Sequence, residues 1–451
     1  VTAPSPPPGP GRALMLDEIR EEPLAFLARM RRQYGDVVGY GTDAWRAVLI
    51  SHPDHIRHVL VTNVRNYAKE GTPDLRMLKP MLGDGLLTSD GETWRAQRHL
   101  LAPLFRRNMV EAFGPLIVEA AVAVRGDWAA RPGRAIEVGA EMSRLTLRIV
   151  ARALFGYDLS DDADPFTDAV EILNEAMGGL TPRTGDARFR FIGALAVIHD
   201  VVERAVAARH GNGHAEGLAG GPGGVDALSL LLAARDGRGL PAMTDRALID
   251  QSVTLLLAGH ETTAKALTWT FHLLARHPKV ERRVGHELAR LGGCRPTVED
   301  LPSLPYLAAV LREAMRLFTP IWIVSRIAVG DDVVGGHHVP AGTLVPISPY
   351  LVHRHEAFWP EAERFDPDRF MPERTAGHHA HQFLPFGAGP RHCIGEHFAM
   401  MELQLVLATL LQTCRLRPAD DRAVVPEALV TLRPRGGLRM IPEPWDGASP
   451  A

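Results

Sequence analysis

The segment Phe386-Gly387-Ala388-Gly389-Pro390-Arg391-His392-Cys393-Ile394-Gly395 constrains this chain more than any other. Gly387, Gly389 and Gly395 flank one cysteine, and the apolar spacing that follows predicts an amphipathic helix over Glu396–Cys414. A cysteine just ahead of a helix meets unpaired N–H groups and the positive end of the helix dipole, which stabilise a thiolate. The glycines let backbone N–H groups close on the sulfur and let a flat ligand pack against the loop. Arg391 adds positive charge two residues away. Such a thiolate serves as a nucleophile or a metal ligand; the rival reading is an inert cysteine in a glycine-rich turn. Only Cys294 and Cys414 accompany Cys393, an odd and low count that excludes a disulfide framework. Cys294 lies in a Gly292-Gly293 loop and Cys414 near a helix end, neither with ligand spacing.

Periodicity makes the chain mainly α. Helices are expected at Thr93–Leu104, Val110–Ala130, Ser143–Phe155, Phe166–Met177, Ile192–Ala208, Ala227–Ala234, Thr244–Ala275, Val280–Leu291 and Leu307–Leu317. Strand patterns sit at Trp45–Ser51, Ile321–Val329, Asp332–Val339 and Thr343–Ile347. A closing hairpin is expected from Val430–Arg433 to Leu438–Ile441 around Gly436-Gly437. Small β-sheets therefore gather near both ends of a helical body. Pro4 to Pro10 read as an extended surface arm within residues 1–12, and the glycine-rich His210–Gly224 as a mobile loop. The helices run together without a linker, so one domain is expected over 1–451. A net charge of −3 gives no global pull toward nucleic acid. No apolar window long enough to cross a membrane and no basic leader appear, which points to a cytoplasmic protein. Twenty histidines include His353-x-His355 and His378-His379-x-His381, read as solvated loop residues in preference to metal ligands.

Three further groupings depart from ordinary packing. The apolar run Leu248–Leu274 carries Ala258-Gly259-His260-Glu261-Thr262-Thr263 in its middle. Glycine costs about 1 kcal/mol there, threonine hydroxyls bond back and bend a helix, and a buried glutamate needs a partner or a role. Glu313 and Arg316 are three apart on one helix face, which by itself reads as a weak surface ion pair. Trp94 and Arg98 share a face in the same way.

The complete pattern Phe-x-x-Gly-x-Arg-x-Cys-x-Gly (Phe386, Gly389, Arg391, Cys393, Gly395) resembles the haem-binding loop of the cytochrome P450 superfamily. The other groupings resemble family marks in the family's order, so the likeness covers nearly the whole chain and implies the P450 fold. It implies haem b with Cys393 as the axial thiolate, which favours O–O cleavage, and O2 as co-substrate. Ala258 and Gly259 lie in the segment similar to the oxygen-activation helix. There the resemblance has Gly259 and a local kink make room for O2, Thr262 hydrogen-bond it, and Glu261 relay protons from water. It makes Trp94, Arg98, Arg326 and Arg391 partners of the haem propionates. Glu313 and Arg316 with Arg369, in Phe365-Asp366-Pro367-Asp368-Arg369-Phe370, become a buried structural network.

By family position the substrate pocket draws on Leu87, Leu256, Ile321, Trp322 and Ile323, an apolar set suited to a terpene, polyketide or fatty acid. The chain is thus expected to be a monomeric monooxygenase that hydroxylates or epoxidises a lipophilic molecule. Electrons would come from a separate ferredoxin or flavodoxin-type donor with its NAD(P)H reductase. The rival readings are a P450-fold peroxygenase, dehydratase or isomerase, and a non-catalytic haem-binding protein.

Overall fold

The structure is a computed structural model that describes residues 4–14, 16–42, 45–159, 162–178, 185–211, 226–235 and 243–445. The chain forms two compact units, each built from three separated segments. One comprises 1–80, 316–365 and 372–393; the other comprises 81–315, 366–371 and 394–451.

The first unit is organised by a five-stranded sheet in the order Val37–Thr42, Trp45–Ile50, Leu344–Ile347, Val324–Ala328, Tyr67–Ala68. Its β-branched residues alternate into a core of Val37, Val48, Ile50, Val345 and Ile347. The run Asp332–Val339 is a hairpin of two three-residue strands, because Gly335 and Gly336 take φ of 58° and 84°. The proline arm lies along this unit as expected. Gly39 N donates to Pro8 O at 2.8 Å and His338 N to Ser5 O at 2.9 Å. Only glycine fits at position 9, since a Cβ there would collide with the Gly39 carbonyl.

The histidine reading is corrected here. His353 and His355 are buried, and each bonds to residues far from it along the chain. His353 Nδ1 lies 3.2 Å from Arg316 O, and its Nε2 accepts from Leu384 N at 2.8 Å. His355 Nε2 meets Asp36 Oδ1 at 3.0 Å. Among the described residues, no group of three or more His, Cys, Asp or Glu side chains is arranged to hold a metal ion.

The second unit is built on the helix Asp245–Arg276, capped by Thr244 Oγ1 accepting from Ala247 N at 3.1 Å. It packs along the helix Val138–Phe155. The expected Val110–Ala130 helix is two, Arg107–Glu111 and Gly114–Ala129, because Gly114-Pro115 starts a new one. The helix expected to reach Cys414 ends at Leu411, and Cys414 opens a strand whose Cys414 and Leu416 face inward. The closing hairpin does not form. Leu432–Pro434 pairs with Pro426–Ala428, while Arg439–Pro444 pairs with Cys414–Pro418 and Ile136–Glu137. The reason is local occupancy: Leu438 N already donates to Glu137 Oε1, and Leu438 O accepts from Val138 N. Helix extends to Gly211, two residues into the expected mobile loop; 212–224 lie outside the described residues. No described helix is long and apolar enough to cross a membrane.

His272 on the long helix makes this unit acid-sensitive. Burial, reinforced by the charges of Arg276 and His277, pushes its imidazole down to about 4. The unfolded chain, with a histidine near 6.5, takes up this proton first as pH falls. Stability is therefore lost progressively from about pH 6.5 toward 4. His272→Phe, which keeps the ring against Trp269, is expected to show a smaller drop in urea midpoint between pH 7.5 and 5. An equal drop in both proteins would remove this account.

Candidate active site

In the first unit the segment Phe386–Cys393 is a tight loop. Cys393 N donates to Phe386 O at 2.9 Å, and His392 N to Gly389 O at 3.0 Å across the turn Gly389–Arg391. Gly389 has φ of 69°, and a Cβ on it would run into the Leu60 carbonyl, so no other residue fits. Gly387, at φ of 72°, faces open ground where a Cβ would meet nothing within 4 Å. Cys393 is exposed, and two residues later Gly395 caps the helix Glu396–Leu411, its carbonyl accepting from Ala399 N. Cys414 differs: burial pushes its thiol up to about 11, which keeps it protonated. Cys294 is an exposed loop residue.

Arg326 lies in the same unit, on the strand Val324–Ala328, buried and donating to Ser325 O at 2.7 Å. Ile321, Trp322 and Ile323 run into that strand half-buried. Trp322 and Ile323 pack partly against the cluster of Phe26, Leu49 and Leu351.

In the second unit the long helix is buried almost throughout, yet Ala258 is exposed and Gly259 and Thr262 half-buried. Ala258 and Thr262 are four apart, hence on one face. The expected back-bonding is present: Thr262 Oγ1 donates to Ala258 O at 2.9 Å and Thr263 Oγ1 to Gly259 O at 3.1 Å. What Gly259 accommodates is a neighbour, since a Cβ there would press on Val150 at 3.1 Å. Glu261 is buried and has two partners that sequence reasoning did not find, Thr431 Oγ1 at 2.7 Å and Asn174 Nδ2. His260 bonds through Nδ1 to Leu256 O, and burial holds its imidazole below the ordinary range. Leu256 is itself buried, about 200° around the helix from Ala258.

Trp94 and Arg98 share the helix Gly91–Leu101, both half-buried, with the guanidinium 5.9 Å from the indole centroid. Leu87 is 38% exposed on the loop before it. Glu313 accepts from Asp366 N at 2.9 Å, and Arg369 Nε lies 3.4 Å from its carboxylate. Arg316, also fully buried, donates to His353 O and Ala362 O at 2.7 Å each and to Arg364 O at 3.1 Å. Neither Glu313 nor Arg316 is a surface residue, so the bland reading of that pair falls.

The donor set thus includes a cysteine at a helix start, a glycine platform beside it, and arginines suited to carboxylates. The chain matches the family model described as Cytochrome P450 over residues 3–439. It belongs to the cytochrome P450 family. It is 37% identical to cyclooctatin synthase of Streptomyces melanosporofaciens, over 98% of this chain and 95% of that protein. It is 35% identical to cyclooctat-9-en-7-ol 5-monooxygenase of the same organism, over 88% and 85%. Identity to pentalenene oxygenase of Streptomyces avermitilis is 32%, over 97% and 96%. The crystal structure of the cytochrome P450DA haem domain superposes with a TM-score of 0.87 at 28% identity, covering 98% of both chains. The chain is a cytochrome P450 monooxygenase, and with the family come haem held by a cysteine thiolate, the use of O2, a redox partner and a lipophilic substrate.

Proposed function

We propose that this cytochrome P450 hydroxylates a cyclic terpene, with Cys393 as the haem ligand. The observation that carries the site is Cys393 itself: exposed, on a loop whose shape only Gly389 permits, directly ahead of a helix. The terpene class rests on the relatives named above, among them pentalenene oxygenase and cyclooctat-9-en-7-ol 5-monooxygenase. When bound, haem supplies oxygen activation, in which one atom of O2 enters the substrate and the other leaves as water.

The residues divide the remaining work. With haem bound, Trp94, Arg98, Arg326 and Arg391 would hold its propionates, and Phe386, Gly387, Gly389 and Gly395 would shape the loop against it. By the family resemblance Ala258, Leu87, Leu256 and Ile321–Ile323 are read as the apolar residues that would exclude water and place an apolar substrate by burial. Thr262 Oγ1 carries a proton on the face it shares with Ala258, and a χ1 rotation releases that hydroxyl from the Ala258 carbonyl. Glu261, held by Thr431 and Asn174, is the carboxylate beside it in sequence. The two units are read as one haem domain because the family match runs across both. The protein is read as a cytoplasmic monomer fed by a ferredoxin or flavodoxin-type donor and its NAD(P)H reductase.

Reconstitution with a ferredoxin, its reductase and NAD(P)H should yield a hydroxylated product from a cyclic terpene such as pentalenene. Full rates with hydrogen peroxide alone would overturn the reductase-fed reading. Thr262→Ala should keep NAD(P)H oxidation while product per NAD(P)H falls by roughly 10²-fold, the low end for a positioned proton donor. Unchanged coupling would take Thr262 out of the mechanism.

A further inference from the structure

The loop 83–89, which carries Leu87, is bonded to the same long helix that carries Ala258 and Thr262. Asp84 N donates to Asp250 Oδ2 at 2.9 Å, and Leu86 N donates to Gln251 Oε1 at 2.9 Å. The approach is so close that a Cβ on Gly83 would enter the Asp250 carboxylate, and one on Gly85 the Thr254 hydroxyl. Gly83 also has φ of 57°. Asp250, Gln251 and Thr254 are all buried. Arg246 Nε sits 2.8 Å from Asp250 Oδ1. The loop is braced from its other side as well: Gln97 Nε2 donates to Asp84 O at 2.7 Å, and Ser89 Oγ to Gln97 Oε1 at 2.6 Å.

Spacing gives this bracing a consequence. Asp250, Thr254, Ala258 and Thr262 recur every four residues, so they form one row along the helix. The loop occupies the first two positions of the row, and the row is exposed at Ala258 and accessible at Thr262. Leu87 is therefore referenced to Thr262 through one rigid element.

We propose that Asp250 and Gln251 are positioning residues that latch the 83–89 loop and hold Leu87 as a fixed wall of the substrate site. Shape discrimination among lipophilic substrates then depends on the latch, without either side chain touching substrate. This rests on the reading of Leu87 as a pocket residue.

The test uses haem-loaded full-length protein and two probes, farnesol and geranylgeraniol, each titrated by the spectral change on displacement of the distal water. Asp250→Ala should change the ratio of the two dissociation constants by about tenfold, the scale on which apolar pockets discriminate size. It should also speed amide exchange at Asp84 and Leu86 and leave the thiolate-type carbon monoxide spectrum intact. Asp250→Asn, which keeps an acceptor for Asp84 N, should restore the wild-type ratio. Should Asp250→Ala fail to retain haem, Gln251→Leu, which releases only the Leu86 amide, carries the same expectation. An unchanged ratio with faster loop exchange overturns the proposal, and so does unchanged exchange. Leu87→Trp separates the two levels. If it alters neither probe, the placement of Leu87 at the substrate has failed; if it alters them while the latch variants do not, the latch alone has failed.

Discussion

Cys393→Ala is expected to abolish the thiolate-type Soret band of the reduced carbon monoxide complex and all terpene hydroxylation. Cys294→Ala and Cys414→Ala should leave both at the wild-type level. The physical case is a comparison of three thiols in one chain. Cys414 is buried in a strand, and its thiol is pushed up to about 11, so a thiolate there is disfavoured. Cys294 lies exposed in a loop behind two glycines of φ 60° and 79°, and the short helix Val298–Ser303 after it is already closed by the Thr297–Asp300 capping box. Cys393 is exposed as well, but it follows a turn closed on Leu60 and precedes the start of Glu396–Leu411, where Gly395 offers no side-chain cap. First-turn N–H groups and the helix dipole favour an anion there. Iron–thiolate bonding requires the deprotonated sulfur, so loss of this one atom has no substitute in the loop. The outcome that sinks the assignment is a retained thiolate-type spectrum in Cys393→Ala, or its loss in Cys414→Ala.

What was legible in the sequence was local. The loop 386–395 could be read because glycine at φ near 70° and a cysteine before a helix are choices of residue type. The long helix could be read because its apolar spacing persists over eight turns or so, and its back-bonding threonines because the partner lies four residues away. The errors concern partners far along the chain. Gly436-Gly437 does turn, with φ of 72° and 79°. Whether Leu432–Pro434 and Arg439–Pro444 then pair is decided by Glu137 and Cys414, which no window around the turn contains. His353 looked like half of a surface histidine pair; its role exists only because Arg316 and Leu384 arrive from either side. Asp250 and Gln251 look like an ordinary polar start to a helix until the glycines at 83 and 85 come against them. Glu313 and Arg316 show the same limit from the other direction. Their spacing suggested a pair, while burial and three carbonyl partners from residues 353–364 give Arg316 its energetic weight.

That weight sets the second large effect. Arg316→Leu is expected to yield protein with little or no bound haem and a urea midpoint well below wild type. Arg316→Lys should recover only part of the difference. The guanidinium satisfies the carbonyls of His353, Ala362 and Arg364, all inside the first unit, and stands 5.2 Å from the Trp359 ring. Its own carbonyl lies against His353 Nδ1, and His353 Nε2 takes the Leu384 N–H, two residues before Phe386. Arg316 thus fixes the 353–364 segment and, through His353, the entry to the Cys393 loop. Removing the guanidinium strands three carbonyls, and each buried acceptor left without its donor costs about 1–3 kcal/mol. Set against a total stability of about 5–15 kcal/mol, the loss leaves the loop without a stable frame. Lysine keeps the charge, but one ammonium cannot present the planar fork that reaches three carbonyls. His353→Ala breaks only the relay to Leu384, so it should lower haem retention with a smaller change in midpoint. Haem content per chain and the urea midpoint, measured for all three variants, decide the matter. Arg316→Leu with full haem content and a wild-type midpoint would show that this residue does not hold the loop.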